Sequence, residues 1–107
     1  MSKQVRVPEN LFQILPPEEQ KAVLRLGVAF RQVGWEEKLR RAEAHIHEME
    51  ARYGCTLAEL EEHGLPSDAD PVFHEDYVEW HYWERARMEA RQMLTLLQEI
   101  AQVSQGE

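Results

Sequence analysis

Apolar positions along this chain recur at two different spacings. Val5 and Val7 alternate with Gln4 and Arg6, a period of two that predicts a short strand, stopped by Pro8. After that the spacing becomes three and four. The stretch NLFQIL fits one or two helical turns, ended by Pro16 and Pro17. Pro17 suits the first turn of a new helix, and Glu18 and Glu19 are favourable at its positive end. Val23, Leu26, Phe30 and Val33 then mark one helical face. Gly34 either caps this helix or sits inside it, at a cost of about 1 kcal/mol relative to alanine. Beyond it, Trp35, Leu39, Ala42, Ile46, Met49 and Tyr53 form an a/d seam of nearly three heptads. Glu36 with Arg40, Glu37 with Arg41, and Glu48 with Arg52 are i,i+4 pairs in the favourable order. Gly54 closes the helix.

Thr56 followed by Glu59 is a capping box, and Leu57 and Leu60 give the short helix behind it an apolar face, with Gly64 at its end. The loop LPSDADP leads to Asp70 as N-cap and Pro71 as first helical residue. A last helix over about 71–102 carries the seam Trp83, Ala86, Ala90, Met93, Leu97 and Ile100. The expected fold is all-α: a long antiparallel helical hairpin with a short capped helix between its arms, and a short N-terminal strand before it. Residues 1–33 form a strand-plus-helix element suited to dimerisation or DNA contact through Gln4 and Arg6; residues 34–107 form the partner-binding hairpin. An unbroken helix over 18–53 would span about 54 Å, whereas a compact domain of this length has a radius of gyration of about 13 Å. One hairpin is expected to cover such seams poorly, so either Gly34 breaks the helix or the Trp35 to Tyr53 seam joins two copies. The dimer is the favoured expectation.

With 107 residues the chain is one domain. It has no apolar run long enough to cross a membrane, and MSKQVRVPEN lacks the apolar stretch of a secretory signal. Cys55 is the single cysteine, so no internal disulfide forms, which fits a reducing cytoplasm and a filler role for the thiol. The net charge of −8 is unevenly placed. Residues 1–42 carry eight Lys/Arg against five acids; residues 43–84 carry twelve acids against Arg52 alone; the remainder balances. Such asymmetry points to two surfaces with different partners.

The stretch HEDYVEWHYWE, residues 74–84, concentrates aromatics, histidines and carboxylates. A metal site there lacks support. His74 and His81 share a face, and so do Glu43 and His47, but there is no Glu-x-x-His, Cys-x-x-Cys or His-Glu-x-x-His. Neither a glycine-rich phosphate loop nor a nucleophile elbow is present. No metal, cofactor or catalytic residue is expected. Tyr77, Trp80 and Trp83 continue the seam of the last helix, yet the aromatics occupy more than one stripe, so part of the stretch is core and part interface. Tyr77, Trp80, Tyr82 and Trp83 are the expected anchors, and Glu75, Asp76 and Glu79 the steering charges for a basic protein partner.

The segment EMEARYGCTLAELEEHGLPSDAD, with HEDYVEWHYW after it, resembles small bacterial and archaeal antitoxins of type II toxin–antitoxin modules. In these a charged helix ends in Tyr-Gly (here Tyr53-Gly54), Thr or Ser opens a short acidic helix (Thr56, Glu59), and Asp-rich residues (Asp68, Asp70) precede an acidic helix with an early Trp (Glu79-Trp80). KQVRVPENLFQILPPEEQKAVLRLGVAF resembles a degenerate ribbon-helix-helix opening. The resemblance implies a non-enzymatic, dimeric antitoxin that occludes the cationic site of a ribonuclease-like toxin, with DNA contact through the N-terminus. The alternatives are a structural helical adaptor and, further off, a metal-dependent helical enzyme.

Overall fold

The computed structural model describes residues 9–65 and 70–105. The strand expected at Val5 and Val7, the DNA contact expected of Gln4 and Arg6, and Asp68 lie outside these residues. The described elements are four helices: α1 (Glu9–Ile14), α2 (Pro17–Tyr53), α3 (Leu57–His63) and α4 (Pro71–Gln105). The architecture is the expected all-α hairpin, with α2 and α4 packed against each other.

The helix ends follow local chemistry. Pro17 occupies the first turn of α2, and the Gln20 side chain donates to the carbonyls of Gln13 and Leu15, tying α1 to α2. Gly54 takes the left-handed conformation (φ 72°) and its N–H closes on the Glu50 carbonyl, a geometry that a side chain would strain. Thr56 and Glu59 form the reciprocal capping box of α3. Asp70 caps α4 by accepting from the Phe73 N–H at 2.9 Å.

Gly34 does not interrupt α2, so the division expected at 33/34 falls inside one continuous helix of 37 residues. At 1.5 Å per residue this helix is about 55 Å long. The molecule is elongated and flat, with extents of 64 × 44 × 19 Å. Its radius of gyration of 20.8 Å far exceeds the roughly 13 Å of a compact chain of this size.

The seam assigned to a second copy meets a different partner. Ala42, Ile46 and Met49 are buried within a single chain, and Trp35, Leu39 and Tyr53 are half-buried. Across from them α4 buries Trp80 and Ala90 completely. The connection through α3 returns α4 along this same stripe, so the heptad is satisfied internally and its buried members have no surface left for another copy. At the closed end of the hairpin, Met49 from α2, Leu57 from α3 and Trp80 from α4 form the core cluster, edged by Tyr53, Leu60 and Tyr77. At the open end the apolar side chains of α1 and of the first half of α2 are largely exposed.

Truncating Ile46 to alanine should cost about 2–5 kcal/mol, and Trp80 to alanine about 3–5 kcal/mol, in urea denaturation. Val78→Ala, on the exposed side of α4, should stay within about 0.5 kcal/mol of the parent.

Candidate functional site

The stretch 74–84 lies on α4, where successive residues are about 100° apart around the axis. Its side chains therefore divide among different surroundings. Trp80 turns inward: it is 0 % exposed, and its ring stacks on Tyr53 with centroids 5.7 Å apart. Asp76, one turn earlier on the same stripe, is only 7 % exposed. Its carboxylate accepts from the Tyr53 hydroxyl at 2.6 Å and from Arg52 at 2.7 Å. These two bonds hold the Asp76 carboxyl below its ordinary pKa range. Burial, then the bond to Asp76, pushes the Tyr53 phenol up to about 12. Arg52 also reaches Glu48, so α2 is tied to α4 just before the turn.

A second polar clasp joins α3 to α4. Tyr77 donates its hydroxyl to Glu61 at 2.6 Å, and His81 Nε2 lies 2.9 Å from the same oxygen. The Tyr77 bond, then the His81 bond, lowers the Glu61 pKa, while Glu61 raises that of Tyr77. Trp83 stacks flat on His45 of α2, with centroids 4.0 Å apart and planes at 5°. Of the seven expected partner-binding residues, then, Trp80 and Asp76 have essentially no surface to offer. They occupy the stripe that faces α2, and so serve the hairpin. Tyr77 and Trp83 are half-buried and engaged in the same way.

Glu75, Glu79 and Tyr82 remain outside, with Val72 and Val78 beside them. Positions 72, 75, 78, 79 and 82 fall on one face of α4, outside the stripe buried against α2; Tyr82, at the edge of this face, lines a pocket with Trp35, Lys38 and Arg41 of α2. Among the described residues neither Glu75 nor Glu79 makes an ion pair or hydrogen bond. Asp70, Glu59 and Glu62 add exposed carboxylates around the same end of the hairpin. This face can present fixed negative charge together with apolar contact area. Its chemistry suits a cationic surface that also carries apolar side chains.

Among the described residues no three His, Cys, Asp or Glu side chains converge to hold a metal ion. The buried indole N–H groups of Trp35, Trp80 and Trp83 meet no acceptor among the described residues. The structure also gives cross-element roles to residues that the sequence pattern did not place in the candidate site, namely Arg52, read only as the partner of Glu48, and Glu61 and His45. Each acts through a contact 20 or more residues away, at Asp76, His81 and Trp83. No known protein family, characterised protein or solved structure matches this chain.

Because its folded pKa is depressed, Asp76 stabilises the fold fully above the unfolded value of about 4, and the contribution disappears as pH falls through the folded value. Asp76→Asn should therefore lower the melting temperature at neutral pH. The gap from the parent should narrow in melts taken below about pH 4. An equal gap at both pH values would detach Asp76 from acid sensitivity.

Proposed function

We propose that this protein is a non-enzymatic binding protein that covers a basic partner with the outer face of α4. The observation that carries this reading is the face left over once the core is accounted for: Glu75 and Glu79, without a side-chain partner among the described residues, beside exposed Val78 and Tyr82. The uneven charge supports it, since residues 43–84 carry twelve acids against Arg52 alone. Together with the resemblance of residues 48–83 to type II antitoxins, this points to a ribonuclease-like toxin in the cytoplasm as the partner. Neutralisation would work by occlusion, the carboxylates taking the place of nucleic-acid phosphates over the toxin's cationic site. Glu75 and Glu79 steer the encounter, and Tyr82 and Val78 supply the desolvated contact.

A structural adaptor is the second reading, favoured by the exposed apolar side chains in the first half of α2. Co-expression with the product of the adjacent gene separates the two, because an antitoxin rescues growth and an adaptor does not. With a toxic partner in hand, Glu75→Lys with Glu79→Lys should slow association by about tenfold or more at low salt. Tyr82→Ala should instead speed dissociation, at a cost of about 2 kcal/mol. Trp80→Ala should lower stability and leave the contact face chemically intact. An adjacent product that is harmless, or that the parent protein neither binds nor neutralises, ends the antitoxin reading.

A further inference from the structure

The first half of α2 carries a second apolar seam that α4 does not cover. Val23, Leu26, Phe30 and Val33 step by three, four and three residues and are 49, 67, 75 and 66 % exposed. Glu19 and Glu37 bound the seam, one step beyond each end. Val28, at the midpoint of this stretch, is turned to the other side and buried. We propose that the seam is covered by the same seam of a second copy of this chain, running antiparallel about a two-fold axis that passes beside residue 28.

The sequence of the seam has the required symmetry. Residues 22–34 read AVLRLG, then Val28, then AFRQVG. Positions equidistant from Val28 pair Ala22 with Gly34, Val23 with Val33, Arg25 with Arg31, Leu26 with Phe30, and Gly27 with Ala29. Only Leu24 and Gln32 break the match. In a two-fold interface residue i meets j while j meets i, so a seam that packs on itself antiparallel needs this reflection in size and polarity. Val23 then meets Val33 of the partner subunit, and Leu26 meets Phe30 of the partner subunit.

The flanks of the seam are small, with Ala22, Gly27, Ala29 and Gly34 beside its large residues. Neither interior glycine has a positive φ, and a Cβ built on Gly27 or Gly34 would meet nothing within 4 Å. The chain's own backbone and packing therefore ask for glycine at neither position, although glycine weakens a helix. A second helix lying on the seam does ask for it, because the distance between packed helices is set by the side chains at their contact. Charge selects the direction. A parallel pair would place the two strongly acidic segments over residues 43–84 side by side, whereas an antiparallel pair sends them to opposite ends. The proposal does not depend on what the acidic face binds.

The test is disulfide register in a Cys55→Ser background. Val23→Cys with Val33→Cys should oxidise to a covalent dimer. Val23→Cys alone should not, since the two copies of position 23 lie ten residues apart along the pair, about 15 Å, beyond the roughly 7 Å that a disulfide spans. By sedimentation the parent should be a dimer at high micromolar concentration, and Phe30→Glu a 12.6 kDa monomer of unchanged helicity. Gly27→Leu with Gly34→Leu should weaken association by about tenfold or more while leaving the single chain folded. The proposal is overturned by a monomeric parent, by ready cross-linking of Val23→Cys alone, or by a dimer indifferent to Phe30→Glu or to the glycine substitutions.

Discussion

A two-helix hairpin gives each long helix a single long neighbour, and the other features of this molecule follow from that constraint. α2 and α4 can bury one stripe apiece, and the stripe they bury is the heptad that ends at Tyr53. Away from that stripe and from α3, many large apolar side chains of these helices are exposed. Only at the closed end does α3 add a third surface, and there the packing is deepest, with Met49, Leu57 and Trp80 in one cluster. The polar clasps collect at this end as well. Asp76 and Glu61 each hold an element that would otherwise swing about a turn. Arg52 keeps its side chain 44 % exposed while reaching Asp76, so the pair avoids the full desolvation cost of a buried ion pair.

The dense aromatic and acidic stretch on α4 is a consequence of helical geometry as much as of composition. Neighbours in sequence point in different directions, so one run of residues can serve three purposes. Asp76 and Trp80 hold α2, Tyr77 and His81 hold α3, and Glu75, Glu79 and Tyr82 face solvent. The crowding in sequence becomes a division of labour in space. It also explains how a carboxylate can occupy a core stripe: Asp76 meets an arginine and a phenol on the last turn of α2.

How much of this was legible in the sequence depends on how local the cause is. The Gly54 cap, the Thr56–Glu59 box and the Asp70–Pro71 start are set by residues within four positions of one another, and all three hold in the structure. The 3-4 seam over 35–53 was legible as a buried stripe, but periodicity says nothing of whether the covering helix belongs to the same chain. Gly34 was undecidable for a related reason, since a glycine inside a helix and one at its end differ in tertiary context rather than in local pattern. Asp76 read as a surface charge because its partners lie 23 and 24 residues back, at Tyr53 and Arg52. Glu61 and His45 stayed invisible on the same ground.

The antiparallel arrangement also sets the order in which the hairpin can assemble. Facing residues grow farther apart along the chain with distance from the turn, from 23 residues at Tyr53–Asp76 to 48 at Glu43–Arg91. Closing a longer loop costs more chain entropy, though only logarithmically, so contacts near the turn form at the smallest entropic cost. The contacts of Tyr53 and Arg52 with Asp76 lie at that end, whereas the apolar side chains in the first half of α2 are largely exposed. Such a chain zips from its turn outward, and its native-state opening begins at the tips of α2 and α4 and seldom reaches Trp80 short of global unfolding.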